Sequence, residues 1–205
     1  MTSAIVLAGG RSRRFGTDKL KARLPDGRTV LAHAVAGAAA VVDELVVVLA
    51  PGADRPNGLP EGAVLVHDPE PDEGPLTGLA TGLETVSGEI VLVVGGDMPA
   101  LEASVLRLLI AAVEKDSKVE GARLEVDGST SASVLPCALR RKAARRACGE
   151  ALAAGDRRLR GALERLATTV VPAAEWRALD PSGRTLFDID RPADLAGLEG
   201  RDEPR

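Results

Sequence analysis

The sequence predicts a single-domain α/β protein with three α/β/α layers, in which a Rossmann-like, mostly parallel sheet lies between helices. Segments typical of strands and of helices alternate over the first half of the chain. The runs 45–49 and 90–94 contain only apolar residues, as expected of strands that are covered on both faces. A length of 205 residues suits one domain with a sizeable core.

The first half of the chain contains four predicted strands and two predicted helices. The strands are residues 3–8, 44–50, 64–67 and 90–94, and the helices are residues 29–42 and 76–85. Ligands bind beyond the carboxyl ends of such strands, so the residues that follow each strand are the candidates for a site.

The pattern changes in the second half. After a predicted helix at 104–115, strands at 122–126 and 131–135 flank a turn at Asp127 and Gly128. Helices at 140–154 and 157–166 break at Gly155, a strand follows at 168–171, and Pro192 suits the first turn of a last short helix. Residues 1–199 form one predicted domain, and the tail 200–205 is predicted to be disordered.

The composition argues against nucleic acid and membranes as partners. Aromatic residues make up 1% of the chain and its formal net charge is −4, so neither base stacking nor non-specific attraction to nucleic acid is expected. No apolar stretch approaches the roughly 20 residues of a membrane span, and the first strand begins close to Met1, which predicts a cytoplasmic protein. Cys137 and Cys148 lack the spacing of a zinc site and are expected to be reduced and buried.

A glycine pair and a basic run follow the first strand. Gly9 and Gly10 let backbone N–H groups approach an anion closely, and cationic side chains come next. The combination predicts a phosphate-binding loop, although its spacing fits neither the mononucleotide P-loop nor the dinucleotide fingerprint Gly-x-Gly-x-x-Gly. The cations are Arg11, Arg13, Arg14 and Lys19.

Carboxylates are expected at the same sheet edge. Asp68 follows the third strand and Asp97 follows the fourth. Because Mg²⁺ prefers one or two carboxylates together with phosphate oxygens, Asp97 is the predicted metal ligand. In an extended segment Asp188 and Asp190 point the same way while Ile189 faces the core, so either could be the second ligand. Asp190 is preferred because it lies closer to the turn at Pro192. A turn role for Asp97 and a helix-cap role for Asp190 are the structural alternatives.

The sequence offers no Ser-His-Asp or Cys-His arrangement for nucleophilic catalysis, and His33 and His67 are predicted to be structural. An acceptor that is itself a phosphate monoester needs no general base, because it is already ionised at neutral pH. Lys19 and Arg14 are therefore the predicted catalytic cations, neutralising a triphosphate and its departing pyrophosphate, and Asp97 completes the catalytic set.

Two further segments are candidates for substrate contact. Gly74 and Gly78 would permit close backbone approach to a base or ribose, although an ordinary helix start explains them equally well. Between residues 140 and 165 nine basic residues accompany three acidic ones. That surplus predicts either a positive surface for an anionic acceptor or a solvated helical face.

These motifs resemble those of the molybdenum cofactor guanylyltransferases along most of the chain. The opening stretch is similar to the signature Leu-Ala-Gly-Gly-x-x-x-Arg-hydrophobic-Gly-x-Asp-Lys, and residues 154–158, Ala-Gly-Asp-Arg-Arg, point to this branch. Residues 74–78, 96–99 and 135–136 share the pattern as well. The resemblance implies the fold of the nucleotide-diphospho-sugar transferases and transfer of GMP from Mg-GTP to the phosphate of molybdopterin, with release of pyrophosphate.

The resemblance also implies roles for parts of the chain. A nucleotide-binding half, 1–100, would precede an acceptor-binding half, 101–199. Asp97 would bind Mg²⁺, Arg157 and Arg158 would face the pterin, and transient contact with other cofactor-biosynthesis or acceptor proteins is a further expectation. The residues expected to contact the nucleotide are Leu7, Ala8, Gly9, Gly10, Lys19, Asp68, Gly78 and Asp97.

One segment departs from the family pattern. Guanylyltransferases usually carry Asn-x-Asn before Thr-Pro, whereas residues 188–192 are Asp-Ile-Asp-Arg-Pro, a form closer to the related cytidylyltransferases. A cytidylyltransferase for the same pterin, or a nucleotidyltransferase for another phosphorylated metabolite, therefore stays open. A nucleotide-binding regulatory module is the non-enzyme alternative, and Lys19, Asp97 and Asp190 argue against it.

Overall fold

The computed structural model describes residues 1–9, 18–69, 74–126 and 131–199, the last four of them by their backbone alone. The described strands are β1 (Thr2–Ala8), β2 (Glu44–Leu49), β3 (Val64–His67), β4 (Ile90–Gly95), β5 (Gly121–Glu125), β6 (Ala132–Arg140) and β7 (Thr168–Val171). They form one sheet in the order β3-β2-β1-β4-β6-β5-β7, in which only β6 runs antiparallel to its neighbours. The predicted fold class is confirmed.

Helices cover both faces of this sheet. One layer contains α2 (Pro75–Thr85), α4 (Arg141–Ala153) and α5 (Leu159–Leu163). The opposite layer contains α1 (Val30–Ala39), α3 (Ala103–Glu114) and α6 (Ala173–Leu179), and α7 (Pro192–Glu199) ends the described chain. Among the described residues, no helix combines the length and the hydropathy that a membrane span requires.

The apolar strands explain this arrangement. In β1, Ile5 packs into the layer of α2, α4 and α5, whereas Ala4 and Val6 pack into the layer of α1, and all three are fully buried. Gly82 brings α2 close to the sheet, because a Cβ atom there would lie 2.8 Å from a methyl carbon of Ile5. Burial of a large side chain such as Ile5 contributes about 1.5–3 kcal/mol.

Two elements have boundaries that differ clearly from the prediction, and one helix was not predicted. β6 extends to Arg140 rather than 135, because Pro136 lies beside a register break in the pairing with β5, where its missing N–H costs no ladder bond. Helix α5 spans five residues instead of the predicted 157–166, since its last residues form tighter turns such as Leu166 N–H to Leu163 O. Helix α6 was not predicted; Trp176, which is fully buried, anchors it to the sheet.

Cys137 and Cys148 are both free and buried, as predicted. Burial raises the pKa of each thiol to about 12, so neither is a reactive thiolate at neutral pH. The predicted turn at Asp127 and Gly128 and the tail 200–205 lie outside the described residues.

Candidate active site

The carboxyl ends of the parallel strands meet at one edge of the sheet, and the predicted site residues follow them there. Gly9 comes after β1, Asp68 after β3 and Asp97 after β4. The N–H of Gly96 donates to the carbonyl oxygen of Leu7 at 2.8 Å, which joins the turn of Asp97 to the end of β1. Leu7 and Ala8 are the last residues of β1, as the sequence predicts.

Lys19 connects the N-terminal segment to the end of β4. Its Nζ atom lies 2.8 Å from Oδ2 of Asp97 and 3.0 Å from Oδ1 of Asp190. The side chain is 16% exposed, and burial alone lowers the pKa of Lys19; the hydrogen bonds and negative charges of the two aspartates outweigh that effect, so the pKa is raised. Lys19 therefore stays protonated at neutral pH.

A short 3₁₀ turn, Lys19–Lys21, places the lysine. Asp18 caps this turn, because its carboxylate accepts the N–H of Leu20 at 3.2 Å. Gly10, Arg11, Arg13 and Arg14, which the sequence places in the phosphate loop, lie outside the described residues.

Three carboxylates surround the lysine. Asp97, Asp188 and Asp190 each offer a ligand oxygen, and these oxygens lie within 4.8 Å of one another. Removal from water, followed by the negative charges of Asp97 and Asp190, raises the pKa of Asp188. Three carboxylates and one ammonium leave an excess of negative charge, which suits a hard divalent cation. Asp188 therefore lies in the same cluster as Asp97 and Asp190, the two predicted metal ligands. Metal binding by these residues stays a prediction.

The C-terminal segment reaches the site through one buried residue. Ile189 is fully buried, as the alternation predicts, and its N–H donates to the carbonyl oxygen of Asp97 at 3.0 Å. Asp188 and Asp190 flank Ile189 and so lie beside Asp97. Sequence reasoning missed this backbone bond, for which no local pattern exists.

Asp68 forms a second, separate feature with the two candidate glycines. A Cβ atom at Gly9 would lie 2.5 Å from Oδ2 of Asp68, and one at Gly78 would lie 3.1 Å from Oδ1. A side chain at either position would therefore press on this carboxylate and displace it. The sequence-based prediction attributed the glycines to direct ligand contact, and the structure adds Asp68 as the group they accommodate.

The carboxylate of Asp68 is incompletely satisfied. Its Oδ1 atom is buried and has no hydrogen-bond partner within the described ranges. Burial raises the pKa of this carboxyl. A buried acceptor without a donor costs free energy, so Asp68 suits a ligand that brings N–H groups.

Arg157 lies against the start of α2, and Arg158 pairs with Asp156. The carbonyl oxygen of Arg157 accepts the N–H of Leu76 at 3.3 Å, and Gly74 passes so close that a Cβ atom there would lie 2.8 Å from the same oxygen. The guanidinium of Arg158 donates two hydrogen bonds of 3.0 Å to Asp156. Asp156 also accepts the N–H of Arg158 at 2.9 Å, and these bonds lower the pKa of Asp156 to about 2.

Most of the basic surplus between 140 and 165 is structural. Seven of the nine basic side chains donate to a carbonyl oxygen or a carboxylate of the described chain, so most of them help to hold the fold together. The seven are Arg140, Arg141, Arg145, Arg146, Arg157, Arg158 and Arg165. His33 and His67 are likewise bonded within the fold, to Asp26 and to the carbonyl of Ala53.

Comparison with known proteins gives one consistent family. The family model described as MobA-like NTP transferase domain matches residues 4–170. A "probable molybdenum cofactor guanylyltransferase" of Chloroflexus aggregans is 36% identical over 95% of this chain and 92% of its own length. A "molybdenum cofactor guanylyltransferase" of Burkholderia vietnamiensis is 33% identical over 86% of this chain and 88% of its own length.

Solved structures share the fold. Molybdopterin-guanine dinucleotide biosynthesis protein A of Archaeoglobus fulgidus superposes with a TM-score of 0.76 at 23% identity, over 96% of each chain. The 2-C-methyl-D-erythritol 4-phosphate cytidylyltransferase of Thermus thermophilus superposes with a TM-score of 0.70 at 20% identity, over 97% of this chain and 98% of that one. Because the fold serves enzymes for different bases, base preference must come from the site. On the family match and the sheet-edge site together, the chain belongs to the MobA-like NTP transferase family and is a nucleotidyltransferase.

Proposed function

We propose that this enzyme transfers GMP from GTP to the phosphate of molybdopterin and releases pyrophosphate. The names of its relatives support this reaction. The single observation that carries the choice of guanine is the carboxylate of Asp68, which lies between Gly9 and Gly78 with one oxygen buried and lacking a donor among the described residues.

An ionised carboxylate only accepts hydrogen bonds, and its two oxygens accept best from two adjacent donors. Guanine presents such a pair, N1–H and the exocyclic N2–H₂. Cytosine presents one amino group beside two acceptors, which the carboxylate would repel. A base without two adjacent donors would leave the buried carboxylate incompletely paired, which costs free energy. Asp68 therefore favours guanine over cytosine.

The cluster around Lys19 supplies the charge that phosphoryl-group chemistry needs. Lys19 is fully charged, and in the proposal it neutralises the triphosphate and the pyrophosphate that forms. The carboxylates of Asp97, Asp188 and Asp190 fit Mg²⁺ by donor type and spacing and would hold it. When bound, this ion supplies further neutralisation of phosphate charge.

The acceptor phosphate attacks the α-phosphorus atom of GTP, one P–O bond forms, and the bond to pyrophosphate breaks. No general base is required, because a phosphate monoester is already ionised at neutral pH. Arg157 and Arg158, in the proposed acceptor-binding half 101–199, are assigned to the pterin side. A cytoplasmic location belongs to the proposal as well.

A specific observation supports a second candidate, CMP transfer to the same acceptor. Residues 188 and 190 are aspartates, as in the related cytidylyltransferases, and both lie in the carboxylate cluster. We give more weight to Asp68. The carboxylate cluster lies beside Lys19, where the proposal places the phosphates, whereas Asp68 has a buried acceptor oxygen that a base could satisfy.

Pyrophosphate release with each of the four nucleoside triphosphates, in the presence of Mg²⁺ and molybdopterin, tests the proposal. Release with GTP alone is the expected result, and omission of molybdopterin should reduce it to background. Release with CTP would move the assignment to the cytidylyl activity. No release with any triphosphate, combined with measurable GTP binding, would favour a regulatory module.

A further inference from the structure

We infer that Asp194 is a positioning residue of the active site, whose carboxylate holds the backbone of residues 190 and 191 so that Asp190 faces Lys19. The inference rests on the proposed function in one respect, since nucleotidyl transfer is the reaction by which its effect is measured.

The contacts of Asp194 are short and converge on one atom. Its Oδ2 atom accepts the N–H of Asp190 at 2.9 Å and the N–H of Arg191 at 2.7 Å. In return, the N–H of Asp194 donates to the carbonyl oxygen of Arg191 at 3.0 Å. Hydrogen bonds from amides to an ionised carboxylate are among the stronger ones in proteins, and a pair on one oxygen fixes the orientation of both peptide planes.

Asp190 needs such an anchor because packing does not supply one. Its side chain is 56% exposed, although its Oδ1 atom lies 3.0 Å from Nζ of Lys19. An exposed ion pair gains little and loses side-chain entropy, so by itself it would not hold a chain segment in place.

Two anchors therefore bracket the carboxylate. On the N-terminal side, buried Ile189 donates its N–H to the carbonyl oxygen of Asp97. On the C-terminal side, Asp194 binds the amides of Asp190 and Arg191. If only the bond from Ile189 to Asp97 remained, the peptide that follows Asp190 could rotate. The carboxylate of Asp190 would then no longer be fixed beside Lys19.

An aspartate in the first turn of a helix is usually explained by helix stability alone. Here the amide that it binds belongs to a residue in contact with Lys19. Helix stabilisation and positioning of Asp190 can be separated by experiment. Ala193 is exposed and lies in the same turn of α7, so its substitution by glycine weakens the helix and leaves the two hydrogen bonds of Asp194 in place.

The test compares Asp194→Ala, Asp194→Asn and the control Ala193→Gly. Asp194→Ala is expected to lower kcat about tenfold while KM for GTP stays within about twofold, because the hydrogen bonds lost act on Asp190 and not on Asp68. Asp194→Asn is expected to restore kcat, since its amide oxygen can accept the same two N–H groups. Ala193→Gly should lower the stability of the protein and leave kcat unchanged.

Binding of Mn²⁺ in the presence of GTP, measured by electron paramagnetic resonance, provides a readout that does not require turnover. Asp194→Ala is expected to weaken this binding about tenfold, and Asp194→Asn and Ala193→Gly to retain it. Wild-type kcat and wild-type Mn²⁺ affinity in Asp194→Ala would overturn the inference, as would a loss in Ala193→Gly equal to that in Asp194→Ala. An inactive wild-type protein would refute the proposed function, and the Mn²⁺ series would still decide the role of Asp194.

Discussion

Asp68 shows how a single residue links stability to recognition. Its carboxylate is partly removed from water, has a buried oxygen and lies against two glycines, where an added Cβ atom would press on it. A group in this position destabilises the ligand-free protein when it is ionised, and a ligand with suitable donors relieves the cost. Sites that bind polar ligands often carry such a penalty.

Asp68→Asn is therefore expected to stabilise the ligand-free protein at high pH and to impair GTP binding. Because the folded pKa of Asp68 is raised, ionisation costs stability as the pH rises through that pKa, and the asparagine variant lacks this cost. Its Tm should exceed that of the wild type by about 2–4 °C at pH 8, which corresponds to about 1 kcal/mol, and the difference should vanish near pH 3. Thermal unfolding at both pH values measures it.

Binding of GTP provides the second half of this test. Loss of one charged acceptor should weaken binding at least about tenfold and reduce the preference over CTP. A Tm difference that is equal at pH 8 and pH 3 would contradict the burial argument. Unchanged GTP affinity would contradict the recognition argument.

Asp97 is expected to be essential for transfer but not for folding. Its carboxylate lies 2.8 Å from Lys19, and Asp97→Asn keeps the shape of the side chain while removing its charge. We expect pyrophosphate release to fall by at least about 100-fold with the Tm within a few degrees of wild type. Exposed Asp54→Asn is the matched control and should be fully active. An active, Mg²⁺-dependent Asp97→Asn protein would refute the assigned role.

At the scale of elements, the start of α2 couples two segments that are far apart in the sequence. Gly74 has a φ of +88°, and the turn it forms lies against the carbonyl oxygen of Arg157. The same oxygen accepts the N–H of Leu76, and Gly78, one turn further along α2, lies against Asp68. The proposed acceptor segment therefore supports the helix that borders the proposed base site.

Gly74→Ala is expected to disturb this junction. The substitution combines an unfavourable φ with a close approach to backbone, which together should cost about 1–3 kcal/mol. Urea unfolding should show that loss, and KM for GTP should rise because α2 borders Asp68. Gly149→Ala in α4 is the control; nothing lies within 4 Å of its added Cβ atom, and the change should stabilise the helix by up to about 1 kcal/mol. Equal stability of the two variants would contradict the proposed junction.

The elements also show what could be predicted from the sequence. Uninterrupted apolar runs predict β2 and β4 well, because a strand covered on both faces needs no other signal. The position of Asp97 at the sheet edge was predictable as well, since it lies two residues after the end of β4. The contact of Ile189 with Asp97 was not, because it joins distant residues by a backbone bond. Asp194 left a weak signal, a carboxylate three residues after Arg191 at a helix start, which is a common capping pattern.

At the scale of the whole molecule, the fold divides its acidic groups into two classes. Hydrogen bonds lower the pKa of Asp156 to about 2 and, against the opposing effect of burial, lower the pKa values of Glu44 and Asp180. Burial raises the pKa values of Asp68 and Asp188, and neighbouring carboxylates raise that of Asp188 further. The first class is structural apart from Asp194, whose pKa is lowered by the amides of Arg191 and Asp190, and the second class lies in the candidate active site.

The two classes predict a stability maximum below neutral pH. The acidic groups with a lowered pKa stabilise the protein above the ordinary aspartate and glutamate pKa of about 4. This stabilisation is lost as the pH falls below about 4 through their folded pKa values, the last of it near pH 2, where Asp156 titrates. The penalty of Asp68 and Asp188 is relieved as the pH falls through their raised values, above about 4. The urea midpoint of the ligand-free protein should thus rise slightly as the pH falls from 8 towards the ordinary carboxyl pKa of about 4, and then fall.

A double variant separates these contributions. Asp68→Asn combined with Asp188→Asn should remove the rise that precedes the acid decline and leave the decline below about pH 4 unchanged, because Asp156, Glu44 and Asp180 are untouched. A rise of wild-type size in the double variant would show that the active-site carboxylates do not limit stability, and the division of the acidic groups by function would then be wrong.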